Sequence, residues 1–147
     1  MHLVSRLLVS LQKMLRVNNH RIEELYLQIS LINEQIDVRL REIEKNTRYI
    51  NTERLIASVN ITGCGTLDAF VMQRTSQNIK YASENEDLKK TMKEIQEQLF
   101  LAYSEQKKLE KIQENEQRRI DFESMRKEVI ELDEIASHIY LSKLTKI

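Results

Sequence analysis

The residues of this chain with the most versatile chemistry are three histidines and one cysteine. His2, His20 and His138 could bind a transition metal or move protons, but they lie far apart, and no two have the spacing of a metal motif. Cys64 could act as a nucleophile only if a nearby base activated it, and no histidine lies near it in the sequence. These residues are therefore interpreted as ordinary surface side chains, and no metal site is predicted.

Two short patterns next to the cysteine resemble functional motifs without completing them. Gly63-Cys64-Gly65 lacks the lysine and the preceding strand of a phosphate-binding loop, so turn formation explains the glycines. Asn60-Ile61-Thr62 matches a glycosylation acceptor, which has no role in a cytoplasmic protein. The many carboxylates have the spacing of helical ion pairs, as in Glu105 and Lys108. The sequence therefore predicts no enzyme and no cofactor.

The composition indicates long, polar helices and not a thick globular core. The 147 residues include no proline, no tryptophan and two glycines, and 31% of them are charged. The 23 basic and 23 acidic residues give a formal charge of zero, which argues against binding to nucleic acid or directly to an acidic membrane. Residues 1–15 contain Arg6 and Lys13, so neither a signal peptide nor a membrane span is predicted. The single cysteine suits a reducing compartment, and a cytoplasmic location is expected.

A seven-residue repeat dominates the first part of the chain and predicts a helix at about 3–57. Its a positions are all apolar: Leu8, Leu15, Ile22, Ile29, Ile36, Ile43, Ile50 and Ala57. Its d positions are partly polar: Leu11, Asn18, Leu25, Ile32, Arg39, Asn46 and Glu53. Such a stripe is typical of a helix that packs against another helix.

The second half of the chain repeats the pattern after a predicted bend at about 58–66. Gly63 and Gly65 can adopt turn conformations, and Thr66 can cap the helix that follows. A second helix is predicted at about 67–144, with an apolar stripe formed by Leu88, Met92, Ile95, Leu99, Ala102 and Leu109. The predicted fold is therefore all-α, a single long antiparallel two-helix coiled-coil hairpin.

The register of this hairpin follows from the position of the bend. Residues that face each other should have numbers whose sum is close to 124. The apolar pairs in this register are Ile36–Leu88, Ile32–Met92, Ile29–Ile95, Leu25–Leu99, Ile22–Ala102 and Leu15–Leu109. The polar pairs are Asn18–Gln106, Arg39–Asn85 and Asn46–Asn78. Because polar residues meet polar residues, these layers can fix the register without leaving a buried polar group unpaired.

The C-terminal end of the second helix should extend beyond the first helix. Met1 would lie opposite Glu123, which leaves about two dozen residues as a single-helix extension. A second apolar stripe runs along this extension, one residue out of phase with the first: Phe122, Met125, Val129, Leu132, Ala136 and Ile139. The last five are predicted to bind a partner protein, since an apolar stripe of this size is rarely left exposed.

The first helix also carries more apolar residues than a hairpin needs. Leu3, Leu7, Met14, Val17, Leu31 and Val38 lie beside the heptad stripe, where polar residues are usual. Widening of the intramolecular contact is an alternative explanation for Leu7 and Met14. Four basic residues and no acidic one precede Glu23. Leu3, Leu7, Met14 and Val17 are therefore predicted to form a second, basic partner-binding surface.

The opening Met1-His2-Leu3-Val4-Ser5-Arg6-Leu7-Leu8-Val9-Ser10-Leu11-Gln12, chiefly Met1, His2, Arg6 and Gln12, resembles a known family. Together with the helical hairpin it is similar to the central stalk proteins of bacterial type III secretion, the SpaM/InvI and YscO group, with flagellar FliJ as a distant relative. The resemblance implies a stalk like the two-helix shaft of the rotary ATPase γ subunit. Such a stalk enters the pore of a hexameric secretion ATPase, links it to the export gate protein at the inner-membrane secretion apparatus, and contacts secretion chaperones. It implies no catalytic residue and only indirect membrane association.

Other functions fit the same heptads. A cytoplasmic coiled-coil scaffold or chaperone-like adaptor differs from the stalk in not binding a hexameric ATPase. A nucleic-acid-binding arm would need a basic face with aromatic residues, whereas the aromatic residues here are scattered. A membrane-surface role for residues 1–21 would rest on their basic, amphipathic character.

Overall fold

The computed structural model describes residues 5–59 and 64–145, and these residues form two α-helices and no strand. Helix α1 runs over Arg6–Val59 and has 54 residues. Helix α2 runs over Cys64–Thr145 and has 82 residues. The two helices pack against each other, so the predicted all-α helical hairpin is confirmed.

The ends of the helices differ from the predicted bounds for local reasons. Helix α1 starts after Ser5, whose hydroxyl oxygen accepts a hydrogen bond from the Leu8 backbone N–H at 3.0 Å and so caps the helix. Helix α2 includes Gly65 and Thr66, which were predicted to lie in the bend, and no described glycine has positive φ. Both helices therefore extend into the predicted bend, and Gly63, Leu3 and the Asn60-Ile61-Thr62 pattern lie outside the described residues.

The chain consists of two compact units, each built from part of both helices. The inner unit is Ile22–Leu101, and the terminal unit combines Met1–Arg21 with Ala102–Ile147. In each unit the two helix segments run antiparallel. Asn18 of the terminal unit donates to Gln106 Oε1 at 2.9 Å, and Asn46 of the inner unit donates to Asn78 Oδ1 at 2.9 Å. Both predicted polar pairs are thereby confirmed.

The heptad stripe of α1 forms one side of the core in each unit. Every a position is buried or half-buried, and so is every d position except the exposed Glu53. The most deeply buried apolar residues of α1 are Leu11 in the terminal unit and Leu25 in the inner unit, which expose 3% and 4% of their surface. The predicted apolar stripe of α1 is therefore the stripe that packs.

The packed stripe of α2 is longer and more polar than the sequence indicated. Residues at alternating spacings of four and three are buried or half-buried from Leu67 to Ile120: Leu67, Val71, Arg74, Asn78, Tyr81, Asn85, Leu88, Met92, Ile95, Leu99, Ala102, Gln106, Leu109, Gln113, Glu116 and Ile120. The phase is constant along the whole stripe. The one-residue phase change that the sequence indicates for the second apolar stripe therefore does not occur before Ile120.

One predicted polar pair lies in the predicted register, but its side chains bind other groups. Arg39 and Asn85 lie on the packed stripes of α1 and α2, and the Arg39 guanidinium forms an ion pair with Glu84 at 2.7 Å. Asn85 is buried and donates only a long hydrogen bond, 3.5 Å, to the Ile36 carbonyl oxygen, while its own side-chain oxygen has no partner. The physical reason is the length of the arginine side chain, because its guanidinium extends past the facing residue to a partly solvated carboxylate beside it.

Candidate partner-binding surfaces

Helix α2 changes character after Ile120. Ile120 exposes 6% of its surface and Glu116 exposes 9%. From Asp121 to Thr145, in contrast, every described residue is exposed except the half-buried Ser124. We call Asp121–Thr145 the C-terminal arm. The arm is a continuous part of α2, so the helix passes without a break from a packed region into an exposed one.

The arm carries the second apolar stripe predicted from the sequence. Phe122, Met125, Val129, Leu132 and Ile139 expose 70%, 64%, 53%, 64% and 51% of their surface, and Ala136 is also exposed. These six residues, called the arm stripe, have the three-four spacing of a coiled-coil contact. Tyr140 exposes 65% and lies four residues after Ala136, on the same side of the helix. The heptad count did not identify it, because it flanks the a and d positions.

The arm stripe is not a continuation of the packed stripe. Continued in phase beyond Ile120, the packed stripe would reach Glu123 and Lys127, which are charged and exposed. The arm stripe begins instead at Phe122, so it lies on a different side of the helix. The change of phase thus coincides with the end of the intramolecular packing.

A cluster of charges marks the end of the packed region. Arg119 binds Glu116 through two hydrogen bonds of 2.7 and 3.1 Å, and binds Glu123 at 2.8 Å. The Arg119 guanidinium, helped by the Ser5 hydroxyl, lowers the pKa of the Glu116 carboxyl, and the carboxylates in turn raise the pKa of Arg119. The ion pair with Arg119 thus outweighs the effect of burial, which by itself would raise the pKa of Glu116.

A second apolar surface lies at the other helix of the terminal unit. Met14 and Val17 expose 50% and 71% of their surface and line a shallow groove of about 360 Å³ between α1 and α2. The other residues that line it are Lys13, Asn18, Arg21, Glu105 and Leu109. Leu7, seven residues before Met14, continues the same face and is 47% exposed. We call this surface, including Leu7, the N-terminal groove.

The floor of the groove is held by a polar contact and its rim is basic. Asn18 donates to the Ala102 carbonyl oxygen at 2.8 Å as well as to Gln106, and this fixes the local spacing of the two helices. Lys13 and Arg21 stand at the edge of the groove. The geometry suits an acidic, apolar helix better than a small ligand, since the groove is open along its length.

All of the residues predicted to bind a partner except Leu3 have a described structural position. Met14 and Val17 line the groove with Leu7 beside them, and the five arm residues lie on one exposed stripe. Leu3 lies outside the described residues. Leu31 and Val38 belong to the inner unit, where they are 49% and 45% exposed. Ile112, 45% exposed, lies seven residues after Glu105 on the groove side of α2 and was not among the predicted residues.

Two further findings on the described residues concern metal binding and membranes. Within residues 5–59 and 64–145, no group of three or more His, Cys, Asp or Glu side chains is arranged to hold a metal ion. Neither helix, over its described length, has a segment both long enough and apolar enough to cross a bilayer.

Comparisons with known proteins identify no family for this chain. No protein-family model, curated protein or solved structure matches this chain. The arm stripe and the N-terminal groove are thus the features from which a function has to be argued.

Proposed function

We propose that the chain is the non-enzymatic central stalk of a bacterial type III secretion system and binds the hexameric secretion ATPase through its C-terminal arm. The proposal rests on the likeness of its opening residues to that family and on the helical hairpin. It assigns the protein to the cytoplasmic side of the inner-membrane secretion apparatus, with no cofactor and no direct contact with lipid.

The observation that carries the proposal is the exposed arm stripe. Met125 and Leu132 each expose 64% of their surface, on a helix that has no packing partner among the described residues beyond Ile120. Apolar residues in contiguous stripes usually mark a protein interface. A single amphipathic helix of this length is only marginally stable in water, so a partner that covers the stripe would also stabilise the helix.

A central position in a ring would make the stalk an activator. A partner that binds the assembled hexamer and not its separated subunits stabilises the hexamer by mass action. In this proposal the arm enters the pore or its mouth, and the remainder of the hairpin reaches toward the export gate protein. The N-terminal groove is then available to secretion chaperones.

The test is a binding and turnover assay with the purified secretion ATPase of the same organism. The double change Val129→Asp and Leu132→Asp should abolish both co-elution and stimulation while leaving the melting of the hairpin nearly unchanged. The matched control is Ile130→Asp with Leu141→Asp, because these residues expose 48% and 59% of their surface but lie off the arm stripe. The control should bind like the wild type.

Failure of the wild-type chain to bind or stimulate the ATPase at any ratio would overturn the stalk proposal. The coiled-coil scaffold or chaperone-like adaptor would then account for the chain better. A Val129→Asp and Leu132→Asp variant that melts early but binds normally would show that the arm stripe packs inside the fold.

A further inference from the structure

The two exposed apolar surfaces of the terminal unit have opposite charge. Residues 5–22, which form the α1 side of the N-terminal groove, include four basic residues and no acidic one, and the groove itself is lined by Lys13 and Arg21 against the single acidic Glu105 of α2. Residues 121–145, which form the arm, include six acidic and three basic residues. An acidic apolar helix and a basic apolar groove attract each other and exclude like-charged partners.

The spacing of the apolar residues also matches. Leu7, Met14 and Val17 are separated by seven and then three residues. Phe122, Val129 and Leu132 of the arm have the same separations. Two parallel helices can therefore bring each apolar residue of one surface level with an apolar residue of the other.

The same alignment matches charges. With Leu7 level with Phe122, Lys13 of the groove rim becomes level with Glu128 of the arm. Long basic side chains at the rim of a groove can reach such carboxylates, so apolar contact and ion pairing favour one register.

The arm cannot reach the groove of its own chain. Helix α2 is continuous through Ile120, so the arm continues away from the packed segment. Val129 lies nine residues beyond Ile120, about 13 Å along the helix axis. Met14 lies nine residues after Ser5, the same distance along the axis in the opposite direction. The two residues are therefore separated along the helix direction by roughly twice that distance. The groove must receive an arm from elsewhere.

We infer that the free chain forms a reciprocal dimer in which the arm of each copy lies in the N-terminal groove of the other. The arm enters the second copy from the end at which α1 begins, so it runs parallel to that α1, as the matched spacing requires. An arm of 25 residues is about 37 Å long and covers the roughly 21 Å from Leu7 to Arg21. The two equivalent contacts close around a twofold axis, so the assembly stops at two copies.

This dimer goes beyond the proposed function and does not depend on it. The arm stripe is the surface offered to the ATPase in that proposal, so one arm cannot serve both partners at once. The test of the dimer needs only the full chain, and its outcome is therefore independent of whether any ATPase binds.

Sedimentation equilibrium of the full chain over a range of concentrations tests the dimer. The wild type should approach twice the mass of the 17.5 kDa chain. The arm variant, Val129→Asp with Leu132→Asp, and the groove variant, Met14→Asp with Val17→Asp, should each raise the dimer Kd by more than about tenfold. The off-stripe control, Ile130→Asp with Leu141→Asp, should dimerise like the wild type.

A mixture of the two variants gives the sharpest result. An intact arm of the groove variant can occupy the intact groove of the arm variant, so the mixture should contain more dimer than either variant alone. A groove variant that dimerises like the wild type would show that two arms pair directly, and would overturn the inference. A wild type that stays monomeric at all concentrations would overturn it as well.

A charge exchange keeps the test valid if the groove variant folds poorly. Lys13→Glu and Glu128→Lys should each weaken the dimer, and the chain that carries both changes should recover it. Recovery is not expected if Lys13 and Glu128 do not meet, so an additive loss in the double variant would contradict the register.

Discussion

Helix α2 carries a stripe with coiled-coil spacing in each of its two parts, but only the stripe before Asp121 is packed against α1. Up to Ile120 the helix presents a stripe of constant phase in which six of the sixteen residues are polar or charged, and this stripe is buried or half-buried against α1. Beyond Asp121 it presents a stripe of larger apolar residues, and this stripe is exposed. The more apolar surface is thus the uncovered one, which indicates that burial in this molecule is determined by the available partner and not by hydrophobicity alone.

The polar members of the packed stripe explain how the less apolar of the two stripes can be the buried one. Asn46 exposes 1% of its surface, donates to Asn78 at 2.9 Å and accepts from Arg74 at 2.9 Å. The Arg74 guanidinium also lies 5.3 Å from the centre of the Tyr49 ring and 5.2 Å from that of Phe70. Satisfied layers of this kind fix which residues face each other, whereas the arm stripe contains no polar layer and leaves its register to be set by a partner.

The largest expected difference between the two regions is in stability. Leu109 exposes 4% of its surface and Leu132 exposes 64%, and both lie on α2. Leu109→Ala should lower the free energy of unfolding by about 2–5 kcal/mol, because it removes buried methyl groups and leaves a cavity. Leu132→Ala should change it by less than about 0.5 kcal/mol at a monomer concentration. Urea unfolding followed by circular dichroism measures both, and equal losses would contradict the division of α2.

The next largest effect should separate two buried asparagines of the packed region. Asn46→Leu should cost about 1–3 kcal/mol, because it leaves Asn78 and Arg74 without their partner. Asn85→Leu should be neutral or stabilising, because the Asn85 side-chain oxygen has no hydrogen-bond partner in the described residues. Chemical denaturation of the two variants checks this order. A greater loss for Asn85→Leu would mean that its long bond to the Ile36 carbonyl fixes the register.

The smallest expected effect is the pH dependence of the stability that Glu116 contributes, near the point where the packed part of α2 meets the C-terminal arm. Arg119 and Ser5 hold the pKa of Glu116 below its ordinary value. The ionised carboxylate therefore stabilises the folded state above pH ~4.3, the usual pKa of glutamate, and this stabilisation is lost as the pH falls through the folded pKa. The Tm difference between wild type and Glu116→Gln should be positive at neutral pH and shrink below about pH 5.

Glu134→Gln serves as the control for this titration, since it removes an exposed carboxylate of the arm that lies in neither proposed contact. A Tm difference for Glu116→Gln that stays constant from neutral pH to pH ~3 would show that the Glu116 charge does not stabilise the packed region.

The sequence predicted most of the packed region because the a positions of α1 are uniformly apolar. It also predicted the pairs Asn18–Gln106 and Asn46–Asn78, since a single register constant relates all facing residues. It did not predict that the stripe of α2 keeps its phase through Gln113 and Glu116. A count of apolar residues cannot recognise polar members of a stripe, and here their burial depends on partners such as Arg119 and Ser5.

The sequence identified residues of the candidate surfaces, but it did not show how they come together with other residues to form a binding site. The spacing of Met125, Val129 and Leu132 identified the arm stripe, and the structure placed all three on an exposed helix. The groove around Met14 and Val17 needed the structure, because Glu105 and Leu109 of α2 form its other wall. The match between the two surfaces in spacing and in charge could be recognised only after the structure had placed both on the exposed surface of the terminal unit.

Amide hydrogen exchange along α2, measured at a concentration where sedimentation shows a monomer, tests the central claim most directly. We expect slow exchange through the packed stripe around Ile95 and Leu109, and fast exchange from Met125 to Ile139. The change from slow to fast exchange should lie within about two helical turns of Ile120. Protection that continues undiminished through Ile139 in the monomer would contradict it, because the arm stripe would then be covered within its own chain.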